Sequence, residues 1–236
     1  MRILLFDIDG TLLTSGGGAR EAFTRALCEA AGRPVRVDGH SFSGRTDPQI
    51  ARDILSANGV TGAALEEGIH ETVRLYLRYF SERLPRLAGA RLLPGVLELL
   101  QALAPRGDAR IALLTGNVRE GARLKLDHFG LTRFFDFSLS CFGSDDADRY
   151  RLPAIALARA RDALGAGVRE EDLVIVGDSE HDVLCARAAG ARSVAVATGW
   201  TPAATLSALR PHAMLDDMSD TPRALAALLG EAQASN

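Results

Sequence analysis

Lysine is almost missing from this chain: of 27 basic residues only Lys125 is not arginine, a bias that, with the abundance of alanine, reads as genome composition. Cysteine is scarce as well. Cys28, Cys141 and Cys185 lie far apart, are odd in number and form no Cys-x-x-Cys pair. That argues against a disulfide framework or a zinc site and predicts small buried thiols kept reduced in a cytoplasm. Long apolar runs are lacking too. Ile3-Leu4-Leu5-Phe6 stops at Asp7, too short for a secretory leader, and nothing later approaches the roughly 20 apolar residues of a membrane span. Neither sign of charge dominates: 27 basic and 30 acidic residues give a formal charge of −3. There is thus no footprint for nucleic acid or an anionic membrane, while a small anionic substrate remains compatible. No Gly-x-Gly-x-x-Gly follows the first apolar run, which argues against a nucleotide-binding oxidoreductase. No heptad or apolar patch is readable, so oligomeric state is left open.

What is present is a chain of 236 residues, 47% hydrophobic, enough for one domain or a domain with a sizeable insertion. Short β-type runs recur at 2–7, 109–115, 135–140, 172–178 and 192–197, and segments of helical period lie between the later ones. Continuous apolar strands alternating with helices predict an α/β core, a Rossmann-like parallel sheet covered on both faces. From about 14 to 90 no strand is evident. Residues 19–31, 47–58 and 63–84 read as helices, the second with Asp47 as N-cap and Pro48 at its first position. The expected division is a core of 1–14 and 90–236 with an inserted α-helical domain at 15–89. Glycine-bearing crossings, Thr14-Ser15-Gly16-Gly17-Gly18 and Leu87-Ala88-Gly89-Ala90, flank the insert and suit a hinge.

In open parallel sheets the ligand lies beyond the carboxyl ends of the strands. Here those ends read Asp7-Ile8-Asp9-Gly10-Thr11, Thr115-Gly116-Asn117 and Gly177-Asp178-Ser179-Glu180-His181-Asp182. Converging carboxylates repel unless a cation is bound or one is protonated. Magnesium suits such a set, since it takes few carboxylates, several waters and a substrate phosphate. Asp7 and Asp9 alternate around Ile8 and can divide the work: one attacks phosphorus, while the other protonates the leaving oxygen and later deprotonates water. The Thr115 hydroxyl and the amides of Gly116 and Asn117 suit phosphate oxygens. Asp178 and Asp182, four apart, can share a helix face toward a metal. Glu180 and His181 are expected to face solvent.

Together these strings resemble the haloacid dehalogenase superfamily, and the helical insert is similar to its C1-type cap. The resemblance implies Asp7 as nucleophile and metal ligand, and Asp9 as general acid/base whose main-chain carbonyl also binds the metal. It implies Thr115 at the phosphoryl group, Asp178 on magnesium and Asp182 in support. The second aspartate points to phosphate esters. A cation is expected shortly before the helix that follows the third strand. Lys125, only ten residues after Thr115, reads instead as a solvated position on the intervening helix. With the helix starting at Pro153 the expected cation falls at Tyr150, flanked by Arg149 and Arg151; Arg149 is preferred as a one-residue loop difference, and either would supply a permanent charge with a fork that fits phosphate. In the insert, Gly44-Arg45-Thr46-Asp47 resembles a substrate-contacting loop, with Arg45 and Thr46 as candidates. Trp200 reads as a packed loop residue. The expected activity is a magnesium-dependent phosphatase of a small phosphorylated metabolite, phosphoglycolate phosphatase-like. A β-phosphoglucomutase-type phosphomutase and a non-catalytic binding or regulatory protein are the alternatives.

Overall fold

Parity within each apolar run decides the layering. In the computed structural model, which describes residues 1–230, β1 (Arg2–Phe6) turns Leu4 and Phe6 to one face and Ile3 and Leu5 to the other. β4 (Ala109–Thr115) and β6 (Leu173–Gly177) alternate in the same way, as a two-residue side-chain period requires. Both faces are apolar, so both must be covered. The first is packed by α4 (Val96–Leu103), α5 (Arg119–His128) and α9 (Thr221–Leu229), the second by α6 (Leu152–Leu164) and α7 (Glu180–Ala188).

Two further parallel strands, β7 (Arg192–Val196) and β8 (Ala213–Leu215), continue the sheet, and α8 (Ala203–Ala208) lies between them in sequence. With β5 (Cys141–Phe142) at the other edge, the order is β5-β4-β1-β6-β7-β8. From β1 the chain adds β4 and β5 on one side and β6 to β8 on the other. The carboxyl end of β1 is therefore the point at which the strand order reverses and a crevice opens.

The apolar run at 135–140 is not a strand. Asp136 accepts hydrogen bonds from the Ser138 amide (2.9 Å) and hydroxyl, and the Ser140 hydroxyl accepts from the Leu113 amide of β4 at 3.0 Å. Local side-chain bonds replace the ladder there, and pairing starts only at Cys141.

The insert holds α1 (Gly18–Ala30), α2 (Asp47–Ala57) and α3 (Ala63–Arg83) around a core of its own, in which Phe23 and Phe80 flank Tyr76 at 5.1 and 5.6 Å between ring centroids. Thr46, not Asp47, caps α2: its hydroxyl accepts from the Gln49 amide at 3.2 Å, leaving Asp47 as the first helical residue. The glycine-bearing crossings are not two separate loops. β2 (Leu13–Ser15) and β3 (Ala90–Leu92) pair antiparallel, and beyond them Gly16 meets Gly89 so closely that a Cβ on Gly16 would lie 2.7 Å from the Gly89 Cα. Among the described residues no helix is long and apolar enough to cross a membrane. The three cysteines are free; Cys141 and Cys185 are buried, whereas Cys28 is only half-buried.

Candidate active site

Asp7 follows β1 directly, its amide still bonded to the Val176 carbonyl at 2.9 Å, and its side chain is buried. The chain then turns: the Ile8 carbonyl accepts from Leu12 (2.9 Å) and Leu13 (3.1 Å), with Gly10 at φ +83°. Asp178 and Asp182 arrive from the end of β6 and the first turn of α7. Oxygens of Asp7, Asp178 and Asp182 lie within 4.8 Å of one another. This convergence depends on missing side chains. A Cβ on Gly10 would fall 2.5 Å from Asp178 Oδ2, one on Gly199 1.6 Å from it, and one on Gly177 2.1 Å from the Asp182 Cγ. The carboxylates occupy the space that these glycines vacate.

Each acid has a different set of partners. Asp182 closes a capping box with Ser179, accepting from its amide at 2.9 Å and its hydroxyl at 2.6 Å, and also accepts from Arg149. Asp178 accepts from the Thr11 hydroxyl at 3.0 Å. Asp7 has the guanidinium of Arg149 at 3.5 Å and the Thr115 hydroxyl beside it. Burial, opposed by Arg149 and aided by Asp182 and Asp9, raises Asp7 to about 6. Asp178 is pushed well above the ordinary carboxylate range by burial and by its two acidic neighbours. The one guanidinium among these three acids pairs with Asp7 and Asp182 but not with Asp178, so negative charge is under-compensated. An oxygen-preferring divalent cation fits this donor set.

Arg149 and Arg151 part company here. Arg149 sits in a 3₁₀ turn ahead of α6 and is buried, while the side chain of Arg151 is 73% exposed against Asp146 and Asp148. Thr115 and Asn117 are both buried. The Asn117 amide bonds back to the Thr115 hydroxyl at 3.3 Å, and the Asn117 side chain donates to that hydroxyl at 2.8 Å and to Asp9 at 2.9 Å. Gly116 receives the insert, for a Cβ there would lie 2.0 Å from the Arg45 carbonyl oxygen.

The insert is seated on the strand ends by that loop. The Asp47 amide donates to the Gly116 carbonyl at 2.8 Å, the Thr46 hydroxyl to the Ala147 carbonyl at 2.6 Å, and the Asp47 carboxylate accepts from the Val118 amide at 2.9 Å. This carboxylate caps the opening of α5, where the backbone carries partial positive charge. The Arg45 guanidinium pairs with Asp53 at 2.6 Å.

Three expectations are corrected. Lys125 is not on a solvated face: it is buried, with Nζ 2.6 Å from Asp9 Oδ2 and 2.6 Å from Asn117 Oδ1. The signal for this was its register with buried Ala122 and Leu126 on α5. His181 is half-buried against Gly44, its Nδ1 3.4 Å from the Tyr150 hydroxyl, because the insert's loop covers it. Trp200 is 90% exposed rather than packed, since Gly199 beside it occupies the contact with Asp178. Sequence reasoning singled out the strings that hold Thr11, Asp47 and Ser179 but assigned these three no part in the constellation, because their types are ordinary turn and cap residues.

The fold is of the α/β class, a parallel sheet covered by helices on both faces, and a haloacid dehalogenase-like hydrolase family model matches residues 1–190. The chain belongs to that family. It is 31% identical over 222 residues to the phosphoglycolate phosphatase of Rhodospirillum rubrum, covering 92% of this chain and 88% of that one. With that family and that relative, it is an enzyme of the phosphoric monoester hydrolase class. Two solved structures share the fold. CbbY from Rhodobacter sphaeroides in complex with phosphate has a TM-score of 0.71 at 23% identity, covering 97% of this chain and 99% of that one. A chain from Bacteroides vulgatus, provisionally named a β-phosphoglucomutase, has a TM-score of 0.70 at 19% identity, covering 98% and 89%.

Proposed function

We propose that this chain is a magnesium-dependent phosphatase of a small phosphorylated metabolite, of the phosphoglycolate phosphatase kind, acting in the cytoplasm through a phosphorylated Asp7. The observation that carries the reading is the buried Asp7 carboxylate at the sheet's crevice, with Arg149 at 3.5 Å and two further carboxylates within 4.8 Å. Asp7 attacks phosphorus, and Arg149 offsets charge on both nucleophile and phosphate with a fork suited to phosphate oxygens. Thr115, with the main chain of Gly116 and Asn117, holds the phosphoryl group. Asp9 protonates the departing oxygen and then takes a proton from the water that hydrolyses phospho-Asp7.

Magnesium would be held by Asp7, Asp178 and the Asp9 carbonyl, with Asp182 supporting the set. When bound it supplies charge neutralisation for carboxylates and phosphate oxygens together. In this reading residues 15–89 form the cap over the core of 1–14 and 90–236. Arg45 and Thr46 lie in the loop that roofs the crevice, and Arg45 is offered to a second anionic group of the substrate in exchange for Asp53.

The test is phosphate release across a panel of phosphorylated two- and three-carbon acids and sugar phosphates, with magnesium and with chelator. Free phosphate from the wild type, none with chelator and none from Asp7→Asn supports the reading. Turnover by Asp7→Asn sinks it, and an isomerised sugar phosphate without free phosphate transfers the chain to the phosphomutases.

A further inference from the structure

The ammonium of Lys125 stands behind Asp9, remote in sequence from it by 116 positions, and takes no part in the roles assigned above. Its side chain is 3% exposed. Two acceptors face this ammonium: Asp9 Oδ2 and Asn117 Oδ1 each lie at 2.6 Å. Tyr76, contributed by α3, is a buried electrostatic neighbour of the same ammonium. The Phe80 ring lies under it at 5.5 Å, and Asp47 is the next charge beyond. Asn117 donates to the same Asp9 oxygen at 2.9 Å. One oxygen of Asp9 is therefore held twice, from two directions, whereas the Asp9 side chain as a whole is 41% exposed.

A compact point charge with three rotatable donors fills this enclosure. A planar guanidinium with five donors in a rigid fork does not match it. Every other basic residue of the chain is arginine, so the one lysine falls where the geometry requires the smaller cation.

We propose that Lys125 is a positioning residue for Asp9: with Asn117 it fixes Oδ2 and leaves the other carboxyl oxygen as the one that exchanges protons with the leaving group. The inference rests on the reading of Asp9 as general acid. Tyr76 comes from the insert, so it stands beside this ammonium only when α3 is seated over the core.

The test uses the dependence of rate on the leaving group. General acid catalysis matters for an alkyl phosphate, whose alkoxide leaves poorly, and hardly at all for 2,4-dinitrophenyl phosphate, whose phenolate leaves unaided. The parameter read is kcat/KM, which covers transfer to Asp7 and not the later hydrolysis. Lys125→Met should lower kcat/KM roughly 10²-fold for the alkyl ester and only a few-fold for the dinitrophenyl ester, with Tyr76→Phe showing the same selectivity at smaller size. Equal losses on both substrates would mean a merely structural lysine and overturn the proposal, as would no loss. Should Lys125→Met not fold, the Tyr76→Phe selectivity decides alone. Asp9→Asn run in parallel separates the two levels: selectivity there without selectivity at Lys125 refutes only the positioning role, and none in Asp9→Asn refutes the general-acid reading beneath it.

Discussion

Arg149 reaches Asp7 across 3.5 Å while the same guanidinium nitrogen donates to Asp182, so a single buried cation ties the proposed nucleophile to the first turn of α7. Removing one partner of a buried ion pair leaves an uncompensated charge, at a cost of about 3–5 kcal/mol. Arg149→Ala is expected to fall in that range in denaturant titrations and to raise KM for phosphate esters. Arg151→Ala, at an exposed position, should stay within about 0.5 kcal/mol and leave KM alone. A reversed order would move the site cation to Arg151.

Metal-free protein should lose stability as pH rises. Asp7 and Asp47 each have a folded value near 6, raised chiefly by burial, against an ordinary 3.8. Between those values the folded state binds more protons than the unfolded one, so stability is highest below about 4 and falls until about 6. Each group contributes on the order of 1–3 kcal/mol to that fall. Melting temperature followed from pH 4 to pH 8 with chelator should decline through this window and then level off. Magnesium should raise Tm more at pH 8 than at pH 5, because protons no longer compete for Asp7 and Asp178. A magnesium effect that is larger at pH 5 would contradict the carboxylate site.

Gly199→Ala places a methyl 1.6 Å from Asp178 Oδ2, a distance at which the carboxylate must move. Overpacking of this kind costs roughly 1–3 kcal/mol, and misplacing a site group by about 1 Å can cost about 10²-fold in rate. The expected variant is folded by circular dichroism, weakened in magnesium affinity by calorimetry, and slowed by about that factor. Wild-type affinity in Gly199→Ala would show that Asp178 holds no metal.

Asp7→Asn removes the proposed nucleophile and a carboxylate that burial disfavours. It should abolish phosphate release while metal-free melting at pH 8 stays level or rises, since a neutral amide carries no such penalty. Lost activity accompanied by a lower Tm would indicate a folding defect instead of a missing nucleophile.

The strand ends were legible because their chemistry is local. Continuous apolar runs must be buried on both faces, and the polar residues that end them then face the crevice; Asp7, Thr115 and Asp178 follow from that alone. The three helices of the insert were equally readable from apolar spacing and breakers. The run at 135–140 misled because Asp136 and Ser140 make bonds that no hydrophobic pattern reveals.

By itself, then, the sequence determined which residues end β1, β4 and β6, where the three helices α1 to α3 fall, and which acids can converge, since these depend on spacing along one chain. Only the tertiary structure decided that Arg149 and not Arg151 enters the site, that Asp47 docks on Val118, and that the sole lysine stands behind Asp9. Each of these is a contact between segments far apart in the chain. A buried charge is stable only where its partners are brought together in space, and no window of neighbouring residues contains them.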